Sequence, residues 1–279
     1  MSTILYSLIL LIMLCSNLYA GSSLTINTPK KQIIYTRENL LNHPKVVTLK
    51  SIHLPSYPDK IFDLKAIKLC ELLVADDSTG TTLKVRAFDN YISYFNLQKI
   101  HPCETPRASI AYLAIEEPNE PWPIIPQLKR SAGSFYLIWI GQKVPQSNWI
   151  FGVESIQVTA SNPFSKLLPQ HSTDVQAKGL EIFADQCGGC HSINLVGNLE
   201  IGPDLNFPKN PTEYFSEKHL RQFIRNPQSI RYMKNDKMFP FTKQNLSDEE
   251  LDALIEFLKL MREHKIKEVP AHLQTKPLL

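Results

Sequence analysis

The run Cys187-Gly188-Gly189-Cys190-His191 sets two thiols three residues apart, with an imidazole directly after the second. That C-x-x-C-H spacing is an attachment signature for a c-type haem. Each thiol can add across one vinyl group, and the adjacent imidazole is then held under the iron as proximal ligand. Rival chemistries are less well supplied. A structural zinc site takes four protein ligands, and no second C-x-x-C completes one. A dithiol redox pair would sit near a βαβ pattern, which the flanking residues lack. One motif implies one covalent haem c, and with it a one-electron task.

Residues 174–266 must hold that group, and their periodicity is helical. Val175, Leu180, Ile182 and Phe183 give an apolar stripe leading into Cys187. Leu220, Phe223 and Ile224 give a second stripe, ended at Asn226-Pro227 because a residue before proline avoids helical backbone. The third helix opens with Ser247 followed by Glu250, a capping box, and Leu246 and Leu251 stand at the positions of a hydrophobic staple. Leu251, Leu254, Ile255, Leu258 and Met261 then recur at helical spacing. The tail, 267–279, is polar, contains Pro270 and Pro277, and is expected to be loose.

Upstream, residues 45–160 read as strands. Leu83 to Phe88 alternates apolar with polar, as does Val153 to Val158, and Ser134 to Ile140 is a β-branched and aromatic run between Gly133 and Gly141. Short helical stretches are expected over 63–73 and 107–115. Glu117-Pro118-Asn119-Glu120-Pro121-Trp122-Pro123 cannot be a regular element, since each proline removes a backbone donor. Trp122, Trp139 and Trp149 are assigned to the core of this domain. Residues 161–173, opening with Ser161-Asn162-Pro163, form a linker, and 21–44 an N-terminal extension. The fold class is therefore α+β: an N-terminal β-rich domain followed by an all-α domain.

A formal net charge of +3 over 279 residues gives no footing for a nucleic-acid binder. Residues 1–20 read as a signal peptide: 4–14 is apolar but too short for a comfortable span, and Ala20 offers a small residue before a cleavage point. The expected location is the periplasm, with no membrane span after cleavage. The leader has no Lys or Arg, so an uncleaved N-terminal anchor stands as the alternative. Setting aside Cys15 and the C-x-x-C-H pair leaves Cys70 and Cys103. In an oxidising compartment they are either a disulfide or two buried thiols. His101, close to Cys103, reads as a loop residue rather than a metal ligand.

Residues 174–266 resemble a class I cytochrome c, with the segments in the family's order. A first helix leads into the motif, a loop carries Gly202-Pro203-Asp204-Leu205, and a central helix ends at Asn226-Pro227. Lys237-Met238-Phe239-Pro240-Phe241 then precedes the terminal helix. The resemblance implies that the Pro203 carbonyl accepts from the far nitrogen of His191 and orients it. It also implies that Met238 is the distal iron ligand, with Met233 as fallback. Arg221, Arg225, Arg231, Lys234, Lys237 and Lys243 crowd the stretch around that loop. They suggest a positive rim that steers an acidic redox partner, against the alternative of an ordinary solvated face.

Residues 45–158 bear a partial resemblance to the molybdopterin-binding domain of sulfite-oxidase-like enzymes. It lies in Phe88-Asp89-Asn90-Tyr91-Ile92, Ala111-Tyr112-Leu113-Ala114, Gly133 to Trp139 and Trp149 to Ile156. The segment is much shorter than a full molybdenum domain. Neither Cys70 nor Cys103 has the Arg-Cys setting of that family's metal ligand. The resemblance thus implies a truncated relative without the metal. The leading expectation is an exported monohaem cytochrome for one-electron transfer, its first domain a docking module for a redox protein. The alternative is a haem-containing dehydrogenase, for example of sulfite, with molybdenum in the first domain. A third reading is a ligand sensor whose haem is open on one side.

Overall fold

The computed structural model of the protein describes residues 23–73, 80–125, 128–142, 144–230 and 238–269. The leader with Cys15, Met233, the basic residues Arg231, Lys234 and Lys237, and the tail from 270 lie outside the described residues.

The first domain is built on two five-stranded sheets. One takes β1 (Ser23–Asn27), β2 (Gln32–Thr36), β5 (Thr82–Ala87), β6 (Ile92–Asn96) and β10 (Val153–Thr159), in the order β2-β1-β10-β5-β6. The other takes β3 (Val47–His53), β4 (Ile61–Lys68), β7 (Ser109–Ile115), β8 (Phe135–Gly141) and β9 (Ile150–Phe151), in the order β3-β4-β7-β8-β9. All pairings are antiparallel except β1 with β10. The stretch read as an N-terminal extension thus supplies two strands and the short helix α1 (Arg37–Leu41). Leu24, Ile26 and Leu40 from it are fully buried.

Side chains of both sheets share one core. Leu83, Val85, Ala87, Ile156 and Val158 meet Leu113, Ile115, Phe135, Leu137 and Trp139. A second apolar cluster covers the outer face of the β4-β7-β8 sheet, where Tyr136 and Ile138 pack with Leu54, Tyr57, Trp122 and Ile125. Strand β8 is therefore buried on both faces, which is why its sequence is continuously apolar while β5 and β10, with one wet face, alternate. The proline-rich loop is pinned to this outer face. The Trp122 N–H donates to Glu116 Oε1 at 2.9 Å, and Glu116 pairs with Arg37 at 3.1 Å.

Two expectations fail here. Residues 63–73 and 107–115 are not helical: the first is mostly β4 followed by a 3-10 turn, Leu69–Leu72, and the second is β7. Their alanines and leucines suit a helix, but Ala111, Leu113 and Ile115 fill one core while Ala66 and Ala114 fill the other. Sheet pairing and two-faced burial override local preference.

The second domain packs α2 (Asp174–Ile182), α3 (Pro211–Tyr214), α4 (Glu217–Arg225) and α5 (Asp248–Arg262), with a hairpin of β11 (Ser192–Ile193) and β12 (Val196–Gly197). Its core is Phe164, Ile182, Phe183, Leu220, Ile224, Leu246 and the inward face of α5. The capping box at the start of α5 is present, with Glu250 Oε2 accepting from Ser247 N–H at 2.7 Å. Leu246 and Leu251 are both buried beside it. The protein is α+β, strands first and helices second. No helix among the described residues is long and apolar enough to cross a membrane.

Candidate functional site

Helix α2 delivers the chain to the motif. Thr173 caps it, taking the Gln176 amide at 3.3 Å while the Gln176 side chain takes that of Thr173 at 2.9 Å. Where α2 meets α5, a Cβ on Gly179 would lie 2.1 Å from the Ala253 carbonyl oxygen, so only glycine permits this approach. After Ile182 the helix widens into a π turn, Phe183–Cys187, a local form frequent at functional sites. Gly188 N–H then donates back to Phe183 O at 2.7 Å, and the amides of Cys190 and His191 both donate to Cys187 O, at 3.0 and 2.9 Å. One tight turn therefore gathers both thiols and the imidazole.

Cys187 and Cys190 are not joined in a disulfide. Burial, and secondarily Cys190, pushes the Cys187 thiol up to about 12, so it is protonated at neutral pH. His191 Nδ1 lies 2.8 Å from the Pro203 carbonyl oxygen. A carbonyl can only accept, so Nδ1 carries the proton and Nε2 keeps its lone pair. Burial drives the His191 pKa below its ordinary value, against the opposing pull of the Pro203 carbonyl and the Asp204 charge. A neutral imidazole with a free Nε2 lone pair is the form that binds a metal.

The loop opposite is shaped around this ring. Gly202 N–H donates to Cys190 O at 2.8 Å, and a Cβ on Gly202 would sit 2.5 Å from His191 Cε1. Asp204 organises the rest of the loop. Its carboxylate accepts from Ser192 Oγ at 2.8 Å and from the amides of Asn194 (3.2 Å), Leu195 (2.6 Å), Asn206 (2.8 Å) and Phe207 (2.6 Å). Asn206 and Asn210, both buried, donate to the Met261 and Leu258 carbonyls of α5 at 2.7 and 2.9 Å. The loop is thereby fastened to the end of that helix.

Met238 is half-buried against the helical core. Beside it Phe239 is 38% exposed while Phe241 is buried, their ring centroids 4.9 Å apart. Arg225 braces this segment, donating to Phe241 O at 3.0 Å, to Ser247 O at 3.1 Å and to Asp248 Oδ1 at 2.8 Å. The described residues among those expected as a rim are engaged with acids: Arg221 pairs with Glu217 at 2.7 Å and with Asp252, Arg225 with Asp248 at 2.8 Å, and Lys243 with Asp248 at 2.5 Å. In the first domain, Cys70 and Cys103 form a disulfide, Cα atoms 5.3 Å apart. No group of three or more His, Cys, Asp or Glu among the described residues is placed to hold a metal ion.

The sequence reading gave no role to Asp204, Asn206 or Asn210, and it counted Arg225 as surface charge. Aspartate and asparagine shortly after a Gly-Pro turn are a usable signal, because their side chains cap nearby amides. For Arg225 no local signal exists, since its partners lie 16 to 23 residues away.

One helical domain thus turns two thiols and a tautomer-fixed histidine onto a single loop. Residues 176–262 match the cytochrome c family model, and the C-terminal domain is a cytochrome c domain. No curated protein matches the chain. Among solved structures, the sulfane dehydrogenase SoxCD from Paracoccus pantotrophus is similar at 17% identity and a TM-score of 0.32. The match covers 50% of this chain and 38% of that one. At that level the likeness carries no argument.

Proposed function

We propose that the protein is an exported monohaem c-type cytochrome that transfers single electrons, with the first domain as a docking module. The observation that carries this is the 2.8 Å contact from His191 Nδ1 to the Pro203 carbonyl, set directly behind the thiol pair in a domain that matches cytochrome c. Cys187 and Cys190 would hold one haem covalently and His191 would be its proximal ligand. Met238 would be the distal ligand, with Met233 as the substitute, and Pro203 would orient His191. The bound group supplies a one-electron Fe(III)/Fe(II) couple, and a thioether ligand raises its potential. The residues of the chain prepare for that couple: Pro203 keeps the His191 proton on Nδ1, and Gly202 leaves room for the ring. Asp204 and Arg225 hold the two loops in place.

Two features support export. The leader 1–20 reads as a signal peptide, and the Cys70–Cys103 disulfide suits an oxidising compartment. The same disulfide weakens the dehydrogenase alternative. Cys70 and Cys103 are the cysteines of residues 45–160, and bridged to each other they offer no thiolate to molybdenum. A redox protein is the partner proposed. Attraction of an acidic partner rests on Arg231, Lys234 and Lys237, because Arg221, Arg225 and Lys243 are already paired with acids.

The test is a spectroelectrochemical titration of the holoprotein alongside Met238→Ala. The wild type is expected to titrate as a single one-electron centre, low-spin when reduced and indifferent to carbon monoxide. Met238→Ala is expected to lower the potential and open the iron to carbon monoxide. An unchanged spectrum in the variant would transfer the ligand role to Met233 or another residue. Carbon monoxide binding by the reduced wild type would favour the sensor reading.

A further inference from the structure

The Gly189 carbonyl, inside the C-x-x-C loop, is gripped from two sides. The Ile92 N–H of the first domain donates to it at 3.3 Å, and Asn198 Nδ2 donates to it at 2.7 Å. The same Asn198 Nδ2 donates to Asn90 O at 2.7 Å, so one amide group bridges the loop and the first domain. Asn198 is 1% exposed. Its own N–H donates to the His191 carbonyl at 3.2 Å, and its Oδ1 accepts from the Glu200 N–H at 2.8 Å. The Tyr91 ring lies against Gly189 so closely that a Cβ there would come within 2.5 Å of it. Tyr91 is fixed in turn, donating its hydroxyl proton to Ser147 O at 2.9 Å and its amide proton to Asp89 Oδ1 at 3.1 Å. The turn that presents these groups is stiffened by Asn90, at φ 72°, whose side chain Arg86 holds.

We infer that the first domain is a positioning element of the haem-attachment loop, with Asn198 and Tyr91 as the positioning residues. This rests on the reading of Cys187, Cys190 and His191 as the haem site. A first domain that did nothing but dock a partner would leave that loop to the helical domain. Here the backbone between the two cysteines borrows a donor and an aromatic lid from residues about one hundred positions upstream. Without Asn198 the Gly189 carbonyl would keep only the longer Ile92 contact, and losing a hydrogen bond to a buried carbonyl is costly, so releasing the clamp would let the loop move and admit water. Water favours the more highly charged ferric state, and the packing around a metal site controls its potential through solvent access. Releasing the clamp therefore lowers the reduction potential without touching any ligand.

The test uses full-length holoprotein and reads two quantities: the midpoint potential and the amide hydrogen exchange of residues 187–198. Asn198→Ala is expected to lower the potential and to speed exchange at Cys190 and His191 by about tenfold, the size of one buried hydrogen bond. Lys50→Ala, on the far edge strand β3, serves as the control for substitution as such. Gly189→Ala keeps the test open if Asn198→Ala fails to fold. Its added methyl meets the Tyr91 ring at 2.5 Å and must displace it, so Gly189→Ala is expected to speed exchange at the same two amides. Wild-type potential and exchange in Asn198→Ala would overturn the inference and leave the electron-transfer reading standing. So would wild-type exchange in Gly189→Ala. A wild type that takes up no covalent haem would overturn both.

Discussion

At Asp204, one carboxylate accepts from a hydroxyl and four backbone amides. Two of the residues it fixes, Asn194 and Leu195, stand at φ 50° and 64°, a region in which a bulky residue such as leucine is strained. The carboxylate holds that strained turn in place and sets the carbonyl of Pro203 against His191. Asp204→Ala would strand several of those donors. It is expected to destabilise the holoprotein by roughly 2–4 kcal/mol, read from urea unfolding; a change within about 0.5 kcal/mol, typical of a neutral surface substitution, would show that the loop organises itself. Residues differ in how far their roles can be read from sequence. Cys187, Cys190 and His191 stand out in the sequence because the proposed covalent attachment would dictate both residue type and spacing. Pro203 is legible only through the family's pattern. Asn198 and Tyr91 carry no local mark, because what they do depends on a partner in the other domain.

Among the elements, the crossing of α2 and α5 shows where local rules mislead. Alanine is the better helix former by about 1 kcal/mol, and Gly179 lies mid-helix. Yet the missing side chain faces the Ala253 carbonyl and Phe257 Cβ, 2.1 and 2.6 Å from where a Cβ would be, and neither can swing away. Gly179→Ala is expected to lower the melting temperature despite the gain in propensity. A rise would mean that the helices can slide apart. The same contest explains which elements were readable. α5 carried a cap, a staple and an uninterrupted apolar stripe, all pointing the same way. β4 and β7 carried alanine and leucine at positions that two separate cores consume, so their composition pointed to helix while their pairing made strand. β8, though buried on both faces, was bounded by glycines and rich in aromatics, which was enough.

Over the whole molecule, a strand-rich domain and a cytochrome c domain share a boundary at the C-x-x-C loop. The first domain's strands run to Thr159 and the next α-helix begins at Asp174, a change visible in the periodicity; the contact at the C-x-x-C loop is not, since such hydrogen bonds leave no periodic trace. The disulfide fixes the upstream domain by closing a stretch of 33 residues. By the chain-entropy estimate that constraint is worth about 3–4 kcal/mol. Cys70→Ser with Cys103→Ser is expected to lose an amount of that order in denaturant unfolding while leaving the haem spectrum in place; a loss of the spectrum as well would tie the disulfide to the haem site. The central claim is that Cys187 and Cys190 bind one haem covalently. The most direct measurement is the mass of the denatured protein after production with haem maturation. The account predicts an increase of one haem that survives denaturation and disappears when both cysteines are replaced by serine. A denatured chain at its bare polypeptide mass, or one that keeps its haem without those cysteines, would contradict it.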